Sequence, residues 1–339
     1  MHIAIDVSPL ESGHKVRGIG SYTDQLIKAL KEYKSKHSYS FFTRGQKVPE
    51  SADLVHYPYF DPFFLTLPLI KTKPTVVTVH DLIPIAYAKY FPKGLRGEFK
   101  WEVQKRSLMK AKRIITDSKA SKNDIIKFIG YPESYIDVVY LAPPKTYQKI
   151  KSNIQLPKQY VLYVGDVNWN KNIPGLIDAY YIIQKKFTDT KLVLVGKQFL
   201  NTTINETQNI NNLIHKYNLE KNVVMPGFVK DEDLPSIYRS ASVYIQPSFA
   251  EGFGFPVLEA MASGCPVVCT NVSSLVEIAG PSATVSPNTR DIASGITNVL
   301  TLSKKEREDI VKKGLAWVKQ FTWERTAKET VTVYEKALE

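Results

Sequence analysis

Short apolar runs alternate with longer amphipathic segments along the chain, in two successive series. Strand-like runs in the first series lie at 3–7, 40–43, 54–57, 75–79, 113–116 and 136–140. Those in the second series lie at 160–165, 191–195, 222–225, 243–246 and 267–269. Helix-like segments such as 21–33 separate the strands. Apolar strands that alternate with helices predict α/β units with parallel sheets.

A proline-rich segment separates the two series. Residues 143–157 contain three prolines and few apolar anchors, which predicts a linker between domains. The 339 residues then form an N-terminal domain over 1–142, a C-terminal domain over 158–320 and a last segment over 321–339. Each domain has an ordinary size. Because open parallel sheets bind ligands at the carboxyl ends of their strands, two facing Rossmann-like domains would enclose a cleft.

The most informative segment runs from Glu251 to Gly264. Pro256 suits the first turn of a helix, so the glycine-rich loop 252–255 lies just before a helix N-terminus. Backbone N–H groups at such an end favour a phosphate, while Glu251 and Glu259 can accept hydrogen bonds from hydroxyls. Phosphate together with hydroxyls indicates a nucleotide sugar. A plain tight turn, followed by an acid that complements the helix dipole, is the alternative.

The full segment resembles the signature of the retaining, two-domain GT-B glycosyltransferases of the glycogen synthase-like group 1 type, which include mannosyltransferases. Two glutamates are followed by the tail Ala-Met-Ala-x-Gly-x-Pro-Val, here 260–267. The resemblance implies the GT-B fold, an α/β architecture with two facing Rossmann-like domains and a cleft between them. It also implies a C-terminal helix over 321–339 that crosses back to the first domain.

Three further segments carry the resemblance along nearly the whole chain. Residues 17–22 look like the family's glycine loop after the first strand, and 78–82 resemble its His-Asp pair. Residues 165–172 resemble the loop that holds the donor diphosphate through a Lys-Asn pair. Taken alone, a Gly-x-Gly turn only reverses the chain and a lone histidine is usually a structural hydrogen-bonder.

By this resemblance, His80 would contact the transferred sugar, Glu251 a sugar hydroxyl and Lys171 the departing diphosphate; these three are the predicted catalytic residues. The donor itself would be held by a larger set. The predicted donor-binding residues are Gly18, Gly20, Lys171, Lys197, Gly252, Phe253, Gly254, Phe255 and Glu259. Because Glu259 is assigned to the ribose, the two glutamates are interpreted as clamps on one donor rather than as a glycosidase-like pair.

One departure from the family pattern concerns the diphosphate. The family places an arginine just after the glycine or just before the lysine, where this chain has Asp166 and Asn170. A lysine is a compact point charge, so a second cation is expected, with Lys197 or Arg17 as candidates. Asp166 would repel phosphate and is interpreted as an organiser of its own loop.

A formal net charge of +12 calls for an anionic partner. Nucleic acid is the weakest candidate, because no zinc-finger, RNA-binding or helix-turn-helix pattern is present. The segment 95–113 could form a basic amphipathic helix on a membrane surface, although an ordinary helix with one core face is favoured. The first residues carry no leader and no apolar stretch is long enough to span a bilayer, which predicts a cytoplasmic protein that could act at the inner membrane face.

A metal site is not predicted. Asp231 and Asp233 superficially match an Asp-x-Asp cation motif, but they precede a helix and are interpreted as capping its start. The histidines are scattered singly. No cofactor is expected beyond the nucleotide-sugar substrate.

These features predict a metal-independent, retaining hexosyltransferase of cell-surface glycan synthesis. Mannose from GDP-mannose is the preferred donor, and the acceptor would be a saccharide or a lipid-linked sugar. The alternative is a catalytically weak or inactive subunit that binds a nucleotide sugar for a partner, which the missing arginine motivates.

Overall fold

The computed structural model describes residues 1–11, 18–33, 36–143 and 154–339. The chain divides into two compact units. Unit 1 comprises Met1–Ala142 together with Phe321–Glu339, and unit 2 comprises Pro143–Gln320. Arg17 and most of the predicted linker 143–157 lie outside the described residues.

Each unit contains a six-stranded sheet in which all neighbouring strands are parallel. The strands are β1 (His2–Asp6), β2 (Ser38–Phe42), β3 (Leu54–Tyr57), β4 (Thr75–Thr78), β5 (Arg113–Thr116), β6 (Ile136–Val138), β7 (Tyr160–Val164), β8 (Lys191–Val195), β9 (Val223–Gly227), β10 (Val243–Gln246), β11 (Val267–Thr270) and β12 (Ala283–Val285). Their order is β2-β1-β3-β4-β5-β6 in unit 1 and β12-β11-β10-β7-β8-β9 in unit 2. The predicted parallel α/β architecture is confirmed.

Helices connect most of the strands. They are α1 (Ser8–Glu11), α2 (Gly18–Glu32), α3 (Ile83–Ala86), α4 (Gly94–Leu108), α5 (Lys119–Asp124), α6 (Ile173–Gln184), α7 (Asn205–Lys216), α8 (Leu234–Ser240), α9 (Phe255–Ala262), α10 (Leu275–Ile278), α11 (Thr289–Leu300), α12 (Lys304–Val318) and α13 (Trp323–Lys336). Shorter 3₁₀ turns include Trp169–Lys171 and Lys197–Leu200. In the described parts of the chain, no helix is both long and apolar enough to cross a membrane.

The central strands of each sheet are buried on both faces. All four residues of β4 and all four of β10 are buried, although each of these strands includes polar residues. Near-continuous apolar runs of this kind are typical of parallel sheets covered on both faces. The sequence missed β12, whose three residues are mostly exposed and carry no such run.

The first glycine segment differs from its prediction. Gly18 and Gly20 belong to the first turn of α2 rather than to a loop that precedes it. The main buried stripe of the helix is Tyr22, Leu26, Ala29 and Leu30, and Gly20 is also buried in its first turn.

The C-terminal helix α13 belongs to unit 1 and packs against α2. Its Tyr334 hydroxyl lies 2.7 Å from Nδ1 of His56 on β3, and His56 Nε2 lies 2.9 Å from Oγ1 of Thr78. Burial and, to a smaller extent, the nearby His80 lower the pKa of His56 to about 3, so the ring is neutral at physiological pH. At the other end of α13, Thr326 donates to the carbonyl of Tyr140.

We expect Tyr334→Phe to destabilise the docking of α13. The substitution leaves a buried ring nitrogen of His56 without its partner, which costs about 1–3 kcal/mol. Faster amide hydrogen exchange in α13 and β3 would measure the loss. Tyr135→Phe, at a half-exposed tyrosine of the same unit, is the control and should change stability by less than about 0.5 kcal/mol. Equal exchange in the two variants would contradict the proposed anchoring.

Candidate functional site

Two loops meet at the carboxyl edge of the sheet in unit 2. One follows β7 and covers residues 165–172, and the other follows β10 and covers residues 247–254. The loops are neighbours because β7 and β10 pair directly. This edge is where parallel α/β sheets place ligand-binding residues.

Asn170 and Asn172 hold the two loops together. Asn170 is buried; its Nδ2 donates to the carbonyl of Ala250 at 3.0 Å, and its own carbonyl accepts from the Phe249 N–H at 2.8 Å. The rings of Trp169 and Phe249 stack with centroids 5.0 Å apart. Asn172, with a left-handed φ of 52°, donates to the carbonyl of Pro247 at 2.9 Å. The loop after β7 therefore fixes the course of the loop after β10.

An ion pair between Lys171 and Glu251 lies at the junction of the loops. Lys171 Nζ is 2.9 Å from Oε1 and 2.8 Å from Oε2 of Glu251. The glutamate side chain is 7% exposed and the lysine 21%, so this pair is shielded from water much more than a surface pair. The structure thus joins two residues that the sequence analysis assigned to different parts of the donor.

Further side chains hold the Glu251 carboxylate in place. Oε1 also accepts from Gln246 Nε2 at 2.7 Å and from Ser248 Oγ at 2.6 Å. The buried Tyr244 hydroxyl donates to Oε1 of Gln246, which orients that amide. The backbone N–H of Glu251 donates to Ser273 Oγ at 2.8 Å. Together these bonds give a buried carboxylate that has a fixed position and a full set of donors on one oxygen.

The glycine-rich loop leads into α9 as predicted from its sequence. Gly254 occupies the N-cap position with a φ of 97°, and Pro256 lies in the first turn. A Cβ atom at Gly254 would come within 2.6 Å of Leu275 and 2.9 Å of Ile278, so only glycine fits there. Phe253 is buried, and its carbonyl accepts from Ser274 Oγ at 3.0 Å. Gly252 is buried beside it, while Phe255 begins the helix.

Glu259 lies on α9, one turn inside the helix. Its Oε2 accepts from the Tyr238 hydroxyl of α8 at 2.9 Å, and the residue is partly exposed. Tyr238 is fully buried and packs edge-on against Tyr244, the same tyrosine that orients Gln246. Both glutamates of the motif are thus supported by one buried aromatic pair.

Lys197 follows β8, at the same edge of the sheet. It is exposed and begins a 3₁₀ turn directly after Gly196. A Cβ atom at Gly196 would lie 2.2 Å from the carbonyl oxygen of Gly165, so the loops after β7 and β8 approach closely only because glycine stands here. This places Lys197 on a loop adjacent to the one that carries Lys171.

Asp166 and Asn170, which stand where the family has an arginine, make structural hydrogen bonds. At position 170 the asparagine is buried and bridges two loops. Asp166 does take part in ordering its loop, but through its backbone carbonyl, which accepts from the Tyr163 hydroxyl at 2.8 Å. The next residue, Val167, donates its N–H to Gln198 Oε1 at 3.2 Å.

His80 belongs to unit 1 and lies just beyond the end of β4. Its Nδ1 is 2.5 Å from Oδ2 of Asp117, and its Nε2 is 3.1 Å from the carbonyl oxygen of Pro58. Because a carboxylate and a carbonyl only accept, both ring nitrogens carry protons and the ring is an imidazolium. Burial is the largest single effect and lowers the pKa of His80, but Asp117, Asp81 and the Pro58 carbonyl together outweigh it and the net pKa is raised. Tyr22 packs edge-on against the ring with centroids 4.7 Å apart.

The capping role predicted for the acids before α8 is wrong. Asp233 occupies the N-cap position, but its φ of −89° and ψ of −26° are helical and its side chain makes no capping bond. A capping side chain needs extended backbone geometry, which this residue lacks. Among the described residues, no group of three or more His, Cys, Asp or Glu side chains could hold a metal ion. The two cysteines are free and buried, and burial raises the pKa of each thiol to about 12.

Sequence reasoning missed the residues that position the glutamates. They are Asn170, Tyr238, Tyr244, Gln246, Ser248 and Ser273. Sequence reasoning also missed Asp117, which pairs with His80. Gln246 and Ser248 gave one usable signal, since they are polar residues at the carboxyl end of an apolar strand. The tyrosines gave none, because a strand or helix tyrosine is usually a packing residue.

Comparison with known families matches both units. The family described as glycosyl transferases group 1 matches residues 144–317, and glycosyltransferase family 4 matches residues 48–142. Similar solved structures include the sucrose-phosphate synthase of Thermosynechococcus elongatus, with 20% identity, a TM-score of 0.76 and coverage of 99% of this chain and 98% of that one. WaaG, a glycosyltransferase of lipopolysaccharide biosynthesis, has 12% identity, a TM-score of 0.71 and coverage of 98% and 99%. These likenesses show the two-domain, Rossmann-like GT-B fold.

Sequence relatives extend the agreement over the full length. The chain is 30% identical to O-antigen chain mannosyltransferase B of Escherichia coli over 388 aligned positions, which cover 99% of this chain and 100% of the relative. It is 28% identical to an MMP alpha-(1->4)-mannosyltransferase of Mycolicibacterium hassiacum over 281 positions, with coverage of 80% and 66%. Since the group 1 model spans more than half of the residues and a full-length relative is this similar, the chain belongs to the group 1 glycosyltransferases.

Proposed function

We propose that this glycosyltransferase moves mannose from GDP-mannose to a saccharide or lipid-linked acceptor, with retention of anomeric configuration and without a metal ion. The observation that carries the proposal is the shielded Lys171–Glu251 pair at the start of α9, on the edge of the sheet where a nucleotide sugar would bind. The named relatives are mannosyltransferases, which favours mannose among the hexoses. The proposed location is the cytoplasm, at the inner face of the cell membrane.

The donor would lie along α9. Glu259, oriented by Tyr238, would accept hydrogen bonds from the ribose hydroxyls, and Glu251 would accept one from a hydroxyl of the hexose. The backbone from Gly252 to Phe255 would face the sugar and phosphates at the positive end of the helix dipole. In this arrangement the two acids bind opposite ends of one molecule.

Charge on the departing diphosphate would be stabilised by Lys171, Lys197 and the N-terminus of α9. Glu251 fixes the Lys171 ammonium in one place, and a positioned cation needs no rearrangement as negative charge develops. The ion pair also neutralises part of that positive charge. A second cation is therefore needed in place of the missing arginine. The exposed Lys197 on the neighbouring loop supplies it.

Glu251 is poorly suited to act as a nucleophile. Its carboxylate accepts hydrogen bonds from Lys171, Gln246 and Ser248, and these donors withdraw the electron density that an attacking oxygen would need. Retention without a covalent enzyme intermediate then requires attack on the same face as the leaving group. In such a reaction the departing phosphate can accept the proton of the acceptor hydroxyl.

His80 is proposed to act as an imidazolium next to the transferred sugar. Asp117 and the Pro58 carbonyl fix the ring, and its positive charge would complement the electron-rich oxygens of the donor. The charged groups that influence its pKa are Asp117 and Asp81. The inactive-subunit alternative is not favoured, because the relatives are named as transferases.

A donor panel tests the proposed activity. Release of nucleotide diphosphate, assayed with EDTA, should give a kcat/KM for GDP-mannose at least tenfold above those for GDP-fucose, UDP-glucose and UDP-N-acetylglucosamine, about 1.4 kcal/mol of discrimination. NMR of the product should show the α-anomer of the donor retained. A thermal shift with GDP-mannose but no turnover on any acceptor would instead support the binding-subunit alternative.

Glu251→Gln should lower kcat by about 100-fold or more while the chain stays folded, because the isosteric amide loses the charge that fixes Lys171. Lys171→Met should have a similar effect. The double variant should be little worse than either single one, since the two groups act as a unit. Glu206→Gln, at an exposed glutamate of α7, is the matched control. Near wild-type turnover in Glu251→Gln would refute the role given to this pair.

The pH dependence of kcat/KM should depend on the His80–Asp117 pair. Asp117 raises the pKa of His80, so the imidazolium and the activity should persist through the pKa of an ordinary histidine and be lost at higher pH. Asp117→Asn removes the raising effect while burial still lowers the pKa, so the alkaline limb of kcat/KM should move to lower pH. Asp137→Asn, at a carboxylate that pairs with Arg113, should leave the limb in place. Superimposable profiles for all three proteins would exclude an active imidazolium.

A further inference from the structure

Unit 1 exposes a concentration of large apolar side chains on two adjacent segments. The first segment is the strap, defined as residues 61–73 of the helix-free connection between β3 and β4. The second is α4. Ile70 is 80% exposed and Phe64 62% on the strap, while Leu95 is 91% and Phe99 69% exposed on α4. Exposed apolar side chains grouped in this way mark an interaction site, whereas scattered ones are ordinary.

The strap is fixed along α4 rather than loosely attached. Gln104 Oε1 accepts from the N–H groups of Thr66 at 2.9 Å and Leu67 at 3.0 Å. Lys71 Nζ donates to the Ser107 carbonyl at 2.6 Å, one turn further along the helix. The exposed apolar side chains of the strap are therefore held next to α4 and form one surface with it.

Leu95 and Phe99 do not belong to the face of α4 that packs on the core of unit 1. Trp101, Gln104 and Leu108 are buried against the rest of unit 1. Leu95 and Phe99 are four residues apart and so share a face, and Arg106 follows on that face three turns after Leu95. An ordinary soluble helix with one core face, the interpretation favoured from sequence, would not leave its two bulkiest N-terminal side chains in water.

Positive charge surrounds these side chains. Between Lys93 and Lys112 the chain carries seven lysines and arginines against two glutamates. Lys100 Nζ lies 5.2 Å from the centroid of the Phe64 ring, and Lys110 Nζ donates to the Leu69 carbonyl at 3.1 Å, so cations border the apolar side chains of the strap directly. Apolar side chains interspersed with cations match the acyl and headgroup layers of an acidic bilayer surface.

We propose that the surface formed by the strap and the exposed face of α4 docks unit 1 onto a bilayer rich in anionic phospholipids. Phe64, Ile70, Leu95 and Phe99 enter the boundary between headgroups and acyl chains, and the basic residues bind the lipid phosphates. The proposal does not depend on the identity of the donor or of the acceptor.

Flotation of the full-length chain with vesicles tests the proposal. The protein should bind vesicles of phosphatidylcholine mixed with phosphatidylglycerol, bind phosphatidylcholine alone much more weakly, and dissociate partly at high salt. Ile70→Ser/Phe99→Ser should lower the vesicle partition constant by about tenfold or more. The reason is the loss of two apolar side chains that enter the bilayer in the bound state. Arg96→Gln/Arg106→Gln should lower the partition constant for the acidic vesicles but not for phosphatidylcholine alone.

Matched controls lie in unit 2. Ile182→Ser/Val276→Ser removes two exposed apolar side chains, and Lys304→Gln/Lys305→Gln removes two exposed charges; both should bind like the unmodified protein. Hydrolysis of the donor in solution by Ile70→Ser/Phe99→Ser should equal that of the unmodified protein, which separates this test from that of the proposed activity. The proposal is overturned if the unmodified protein does not bind acidic vesicles, if the controls lose binding equally, or if the surface instead holds a second copy in a dimer that Ile70→Ser/Phe99→Ser dissociates.

Discussion

The ion pair between Lys171 and Glu251 is the interaction on which the candidate site depends. It joins the loop after β7 to the loop after β10, two strands that are neighbours in the sheet although 80 residues separate the paired side chains. A partly buried lysine and a buried carboxylate are each costly to leave unpaired, so each fixes the other. Asn170, Gln246 and Ser248 then complete the hydrogen bonds, and the start of α9 takes its position from this cluster.

Unit 1 supports its own site residue in a comparable way. Tyr334 of the C-terminal helix bonds His56, His56 bonds Thr78, and the Tyr22 hydroxyl lies 3.1 Å from Oγ1 of Thr78 while the Tyr22 ring packs on His80. The neutral His56 and the positively charged His80 are neighbours whose opposite pKa shifts have different causes. Burial lowers the pKa of both rings, but at His80 the combined effects of Asp117, Asp81 and the Pro58 carbonyl outweigh it. The last helix of the chain thus contributes to the surroundings of a residue near its beginning.

The structure also shows where basic residues of the positively charged chain are grouped. The sequence offered a nucleotide diphosphate and an anionic membrane as partners for it. The structure puts Lys171 and Lys197 at the sheet edge of unit 2, and places a separate group of basic residues around exposed apolar side chains on unit 1. These two groups of positive charge are separate, because one lies in a compact site with a shielded ion pair and the other on an open surface.

The sequence by itself determined the parallel α/β architecture and the loop-to-helix start at Gly254, because apolar periodicity, a glycine with positive φ and a proline in the first helical turn act locally. Its local reasoning failed where packing decides, as at Gly18, which joins α2, and at Phe99, which stays in water although it lies in an apolar pattern. Only the tertiary structure decided that Lys171 pairs with Glu251, that Asp117 pairs with His80 and that Asn170 bridges two loops. These contacts join residues far apart in the chain, and a side chain's partner depends on which loops the sheet order brings together.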